Sequence, residues 1–176
     1  MSYAIIRNVK YQRKHLSAIY RHNERKNTNY SNKDIIKENS IKNYSLKTLN
    51  TTYEKEFETI HKKYNLKGQL KVTSNIVCEF IITSDKEFFE KIGEQETKRY
   101  FETAYKFVSN YKNLGEQYIL SAKVHLGETT PHLHIVFIPV VHTKDTNGNS
   151  IDKICCTKYW KGKDSYRKLQ DNFIII

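Results

Sequence analysis

No stretch of this 176-residue sequence approaches the roughly 20 consecutive apolar residues that a membrane-spanning helix needs, and the mean hydropathy of −0.71 points the same way. The opening Met1-Ser2-Tyr3-Ala4-Ile5-Ile6-Arg7 has no charged segment leading into a long apolar run, so it does not read as a secretory signal. Cysteine is scarce. Cys78, Cys155 and Cys156 are an odd number without CxxC spacing, and the adjacent Cys155 and Cys156 are poorly placed to pair with each other. A reduced, cytoplasmic setting is the simplest expectation. Internal repeats and low-complexity linkers are also absent. That leaves one domain over residues 1–176, long enough to bury a core without staples.

What the sequence has in excess is positive charge, +11 in all, and it is unevenly placed. Residues 1–50 hold 11 Lys/Arg against 3 Asp/Glu, residues 51–110 hold 10 against 10, and residues 111–176 hold 9 against 6. A basic block of that size points to a polyanion partner, with nucleic acid ahead of a membrane because no amphipathic anchor is evident. The plainer alternative is a solvated basic surface in a Lys/Asn/Ile-rich chain.

Apolar periodicity predicts the elements. Ala4–Val9 reads as a short strand and His15–Lys26 as a helix with Leu16, Ile19, Tyr20 and Asn23 on one face. Thr28–Asn50 is polar and aperiodic and reads as a long loop. Tyr53–Tyr64 is a second helix, Asn75–Thr83 a β-rich run, and Ser84 with Glu87 forms a capping box for a helical stretch reaching Asn113 that Gly93 divides. Tyr118–His125 and Leu133–Val141 form an antiparallel hairpin, Asp145–Asn149 a turn, and the segment from Lys163 a helix. The apolar Phe173-Ile174-Ile175-Ile176 carries no stop signal and reads as a cut or abrupt end. The expected class is α+β, an antiparallel sheet with helices packed on one face.

His132 and His134 are two apart in a strand, so both side chains leave one face about 6–7 Å apart. His125 ends the preceding strand, and the Gly127–Pro131 connection folds it back beside them. Three imidazoles on one face make a three-coordinate metal site with open positions, a catalytic rather than a closed structural geometry. A lone strand histidine is usually core or surface. Three of seven histidines within ten residues at hairpin spacing is a different matter. By ligand type the site suits Zn, Cu, Fe or Ni, with Mn also open.

The segment His125-Leu126-Gly127-Glu128-Thr129-Thr130-Pro131-His132-Leu133-His134 resembles the HxDExxPHxH motif of MobV-type (Mob/Pre) relaxases, plasmid mobilisation and recombination proteins within the HUH endonucleases. His22-Asn23-Glu24-Arg25 resembles that family's HNxR motif, and Asn43-Tyr44 its Asn-Tyr. Ile81–Phe89 and Leu169-Gln170-Asp171 extend the similarity over nearly the whole chain. Gly127 stands where the motif has aspartate, and if that aspartate supports a ligand, metal binding here is expected to be weaker.

The resemblance implies an HUH relaxase-like, ferredoxin/palm-like core. It also implies a metal-dependent DNA strand transferase that nicks a plasmid origin of transfer for conjugal mobilisation. His125, His132 and His134 would hold the divalent cation, manganese first, with magnesium or zinc the alternatives. His22 would attack a DNA phosphate to leave a 5′-phosphohistidine link and a free 3′-OH, with Tyr44 the rival nucleophile. Arg25, sharing a helical face with His22, would neutralise the phosphate, and Glu128 would orient His22 or take its proton. DNA contacts are expected from Arg7, Lys10, Arg13, Lys14, Arg21, Lys26, Lys33, Lys37, Lys42 and Asn43, on the origin hairpin and the single-stranded nick region. Lys153, Lys158, Lys161 and Lys163 around Tyr159-Trp160 form a second candidate contact. Nothing corresponds to the family's C-terminal partner or oligomerisation region, and no membrane contact is expected.

Three rivals share these residues. One is an HUH replication initiator or transposase with a tyrosine nucleophile, for which Tyr159 and Tyr166 qualify. Another is an origin-binding module that has lost catalysis at Gly127. The third, a small metal-dependent hydrolase unrelated to DNA, leaves the charge gradient unexplained.

Overall fold

The computed structural model describes residues 4–30 and 37–173, and the side chains of all of these except residues 37–39. Its elements in chain order are β1 (Ile5–Gln12), α1 (Leu16–Asn23), β2 (Tyr44–Lys47), α2 (Tyr53–Lys63), β3 (Asn75–Thr83), α3 (Lys86–Asn110), β4 (Ile119–His125), β5 (His132–Phe137), β6 (Val140–Lys144), β7 (Ser150–Ile154), α4 (Cys156–Tyr159) and α5 (Ser165–Phe173). Five strands form one antiparallel sheet in the order β1-β3-β5-β4-β2, while β6 and β7 pair as a separate hairpin.

β3 reads as a near-continuous apolar run because it lies centrally in the sheet and is covered on both faces. Phe80 and Ile82 point to one side, where they meet Ile135 and Leu133 of β5 and, beyond them, α3, α4 and α5. Phe80 packs edge-on to Trp160 and against Phe137, while Phe89 and Phe101 of α3 stack in the same layer. This is the helix layer expected for the α+β class. On the opposite face α1 and α2 cover one part of the sheet, and the histidines lie beside them.

Local chemistry sets the helix ends. Thr52 caps α2 by accepting from the Lys55 N–H, and Glu54 and Glu56 lie in its first turn with His61, Lys62 and Lys63 in its last, complementing the helix dipole at both ends. α3 is capped by Asp85, whose Oδ1 accepts from the Phe88 N–H at 2.8 Å, one residue after the expected Ser84. The expected break at Gly93 is real: φ is +75°, a conformation that glycine alone adopts freely, and the helix kinks there.

Two expectations are corrected. The Thr28–Asn50 loop contains β2, which pairs with β4 and forms one edge of the sheet. The strand expected over Leu133–Val141 ends at Phe137, because Pro139 has no N–H for a ladder and the chain turns out to begin β6. β6 closes on β7 across the Asp145–Asn149 turn, where the Asp145 carboxylate accepts from the N–H groups of Asn147 and Asn149. Among the described residues no helix is long and apolar enough to cross a membrane.

Candidate metal centre and nucleophile

In the β4–β5 hairpin His125 lies directly opposite His132, and His134 follows two residues later on the same face. One ring nitrogen from each of the three lies within 4.8 Å of the others, and the ring centroids are 4.8–5.1 Å apart. The remaining nitrogens all face acceptors that can only receive a proton. His125 Nε2–H donates to the Asn23 carbonyl at 2.8 Å, His132 Nδ1–H to the Thr130 carbonyl at 2.9 Å, and His134 Nδ1–H to Glu79 Oε1 at 2.8 Å. The tautomers follow. His125 Nδ1, His132 Nε2 and His134 Nε2 are left as lone pairs facing the common centre.

These lone pairs fit a divalent cation. His134 Nε2 is buried without a partner among the described residues, and His125 Nδ1 and His132 Nε2 face each other at 3.2 Å, an arrangement that a shared positive charge stabilises. Burial lowers the His125 pKa to about 3, and burial with the neighbouring His134 lowers that of His132 to about 4, so both rings are neutral at pH 7. The outer partners of all three rings are Asn23, Thr130 and Glu79, so no ring relies on residue 127. Asn43, expected on DNA, uses its amide oxygen to accept from the Leu126 and Gly127 N–H groups and so clamps the hairpin loop.

Around this centre the structure gathers His22, Arg25 and Glu128. His22 lies in the last turn of α1, half-buried, with its ring edge-on to that of His134 at 5.9 Å. Burial first, then the fields of His134 and Arg25, lower its pKa, so the imidazole is neutral near pH 7. Arg25 does not share a helical face with His22, as spacing had suggested, because α1 ends at Asn23. Arg25 takes the left-handed conformation just past the helix at φ +53°, a place usually given to glycine and costing another residue about 1–2 kcal/mol. That turn sends its guanidinium back over the helix end. Nη1 donates to the His22 carbonyl at 2.8 Å, and Nη2 reaches both His125 Nδ1 at 2.7 Å and the Glu128 carboxylate.

Glu128 lies 3.5 Å from His125 Nδ1 and 3.4 Å from His132 Nε2 and is ion-paired with Arg25; its nearest links run to these groups rather than to His22. Burial alone would raise its pKa, but the surrounding His125, His132 and Arg25, of which Arg25 is the one charged near pH 7, hold it at about 2.

Tyr44 is not brought to this centre. It pairs with Val124, whose side chain points to the α3 face, and it lines a cavity of about 1040 Å³ with Phe89 and Glu102, on the other side of the sheet from the histidines. Burial pushes its pKa up to about 12. Tyr159 is buried against Phe137, and Tyr166 stacks on Trp160, both also on the α3 side. The basic residues divide as well. Arg7, Lys14, Arg21 and Lys26 are exposed, Arg13 is paired with Glu58, and Lys10 lies over the Tyr166 ring on the α5 side. Lys42 lines the cavity beside Tyr44, Lys33 and the Lys37 side chain lie outside the described residues, and Lys158 donates to Thr143 Oγ1 on the β6–β7 side. Two contributors escaped the sequence reading. Glu79 is a carboxylate at the centre of an apolar strand, itself a signal of a buried partner, and Tyr30 lies under the Arg25 guanidinium and beside His22.

The site thus sets three histidines on a hairpin, across the sheet from the main helix layer, with a further histidine at the end of α1 beside them. The structure resembles the MobM relaxase domain (MOBV; Mob_Pre) bound to plasmid oriT DNA and manganese, with a TM-score of 0.80 and 31% identity over 97% of this chain and 82% of that one. A second MobM relaxase structure, bound to 26-nucleotide oriT DNA, gives 0.69 and 27% over the same shares. The chain belongs to the plasmid recombination enzyme family (Mob_Pre), whose model matches residues 1–174. Plasmid recombination enzymes of Streptococcus agalactiae and Lactiplantibacillus plantarum are 36% and 37% identical over 87% and 86% of this chain, and type 1 of Staphylococcus aureus is 34% identical over 98%. The chain spans only 31% to 42% of the length of these relatives.

Proposed function

We propose that this domain is a site- and strand-specific DNA relaxase that nicks a plasmid origin of transfer by transesterification, in the service of plasmid mobilisation. The observation that carries this reading is the neutral imidazole of His22 standing against the three-histidine centre. His125, His132 and His134 would hold a divalent cation, manganese first because a similar MobM structure is manganese-bound, and when bound it supplies a Lewis acid that polarises the scissile phosphate.

The chain's own residues do the rest. The free ring nitrogen of His22 attacks phosphorus, forming an N–P bond as the P–O3′ bond breaks. The 3′ oxygen leaves as a hydroxyl, and the proton it takes up is balanced by the one that the phosphorylated imidazole releases from its second nitrogen. Arg25 lies where it can neutralise the charge that builds on the phosphate oxygens. Glu128, with a pKa of about 2, is a poor proton acceptor and serves instead to hold Arg25. Exposed Arg7, Lys14, Arg21 and Lys26 are available to the origin hairpin and its single-stranded flank.

The test is incubation with a supercoiled plasmid and a single-stranded oligonucleotide carrying the cognate origin, with Mn, Mg or Zn. A denaturant-stable protein–DNA adduct and a free 3′-OH are expected with a divalent ion and not with a chelator. Origin binding without cleavage under any ion would favour the module that has lost catalysis.

A further inference from the structure

Glu79 lies 2% exposed in the middle of β3, next to the histidine strand. A carboxylate taken out of water is costly unless its lone pairs find donors. Glu79 is fully served: Oε1 accepts from His134 Nδ1 at 2.8 Å and from Asn23 Nδ2 at 2.7 Å, and Oε2 accepts from the Tyr11 hydroxyl at 2.8 Å. Burial would raise its pKa, but these three donors outweigh it and hold it below the usual carboxylate range.

Asn23 joins this group to the rest of the site. Buried at 1% exposure, it gives its side-chain amide to Glu79, while its main-chain carbonyl accepts the Nε2–H of His125. It also follows His22 directly at the end of α1. Two of the three converging histidines and the helix end that carries His22 are thus tied together through Glu79 and Asn23.

We infer that Glu79 and Asn23 are positioning residues. Glu79 fixes the His134 ring so that Nε2 faces the ion, and Asn23 locks the end of α1, and with it His22, onto the same ring system. This rests on the metal and nucleophile roles proposed above. Carboxylate or carbonyl partners of a ligating imidazole typically govern metal affinity by 10–100-fold, and a displaced nucleophile loses rate rather than affinity.

The two residues therefore separate in experiment. Manganese titration of the whole chain, followed by the resonance signal of the free ion, should show Glu79→Gln weakened roughly 10–100-fold, with origin cleavage recovering as manganese approaches saturation. Asn23→Ala keeps the carbonyl that holds His125, so its manganese affinity should stay within about three-fold of the parent, while cleavage at saturating manganese falls by about 10-fold or more. Tyr11→Phe removes the third bond to Glu79 but touches neither histidine nor helix end, so its loss of manganese affinity should be smaller than that of Glu79→Gln. Nitrogen-15 spectra of the metal-free parent should show His134 protonated at Nδ1 and bare at Nε2, a result that needs no variant to fold. The opposite tautomer, parental affinity in a folded Glu79→Gln, or equal losses in all three variants would overturn the inference. Glu79-dependent manganese binding with no DNA cleavage would sink the relaxase reading and leave this inference standing; cleavage indifferent to Glu79 would do the reverse.

Discussion

The imidazole of His22, in the last turn of α1, stands edge-on to that of His134 in β5 with ring centroids 5.9 Å apart. Residues more than a hundred positions apart in sequence thus meet across the sheet face. Tyr44, the alternative nucleophile, is separated from them by the sheet itself.

Arg25 contacts three partners at once, the His22 carbonyl, His125 and Glu128. A lysine offers one point charge and no planar fork, so Arg25→Lys should not rescue what Arg25→Ala loses. Single-turnover cleavage is expected to fall about 100-fold or more in both. Near-parental cleavage by Arg25→Lys would mean that charge alone suffices there.

The metal-free protein should lose stability on acidification. His125 and His132 have pKa values of about 3 and about 4 in the fold, against an ordinary 6.5, chiefly because burial penalises their charged forms. Between those values the unfolded chain binds more protons, so stability rises with pH through that window and is lost as pH falls from about 6.5 towards 4. Glu128, depressed to about 2 from 4.5, adds a loss of the same sign at lower pH. His142 opposes. Its Nδ1 faces Asp152 at 2.6 Å and its Nε2 the Asn113 carbonyl at 2.8 Å, and these partners raise its pKa. Its contribution is present below 6.5 and fades above, and with side chains 44% and 33% exposed the pair is heavily screened. Thermal melts from pH 7.5 to 4.5 in chelator should therefore show a falling midpoint; a flat profile would contradict the assigned buried, neutral histidines.

Asn43 and Gly127 make a paired test of the loop. Asn43→Ala frees the Leu126 and Gly127 N–H groups and should cost about 1–2 kcal/mol of stability, together with a loss of manganese affinity. Gly127→Asp restores the residue of the family motif, yet all three histidines already have outer partners, so manganese affinity should stay within a few-fold. A gain of 10-fold or more by calorimetry would show that the aspartate position supports a ligand after all.

How far the sequence could be read depended on whether a feature was local. β3 was legible to the residue because β-branched and aromatic side chains dominate it on either side of Glu79, and the three histidines because strand alternation and one tight loop dictate their meeting. β2 was not. Its four residues sit in a polar stretch and become a strand only by pairing with β4, a contact between segments some eighty residues apart. Ser84 and Asp85 are both good caps, and tertiary packing chooses between them. The position of Arg25 depended on where α1 ends, and helix ends are the least legible feature of all. The face taken by Tyr44 followed from the register of a strand that was not foreseen.

The basic block should act by face. Arg7 pairs with Ile81 and shares the histidine side of the sheet, whereas Lys10 pairs with Cys78 and lies over Tyr166 on the other. Arg7→Ala, Arg21→Ala and Lys26→Ala should each weaken origin binding and lower the slope of log affinity against log salt by about 1, and Lys10→Ala should do neither. Anisotropy titrations at several salt concentrations decide this. An equal change in slope for Lys10→Ala would refute the division.

The most direct measurement is to identify the residue covalently joined to DNA after reaction with a cognate-origin oligonucleotide and manganese, by peptide mapping of the adduct. The account predicts a 5′-phosphate on the imidazole of His22, an acid-labile link absent in His22→Phe and retained in Tyr44→Phe. DNA linked to Tyr44, Tyr159 or Tyr166, or an adduct that survives His22→Phe, would contradict it.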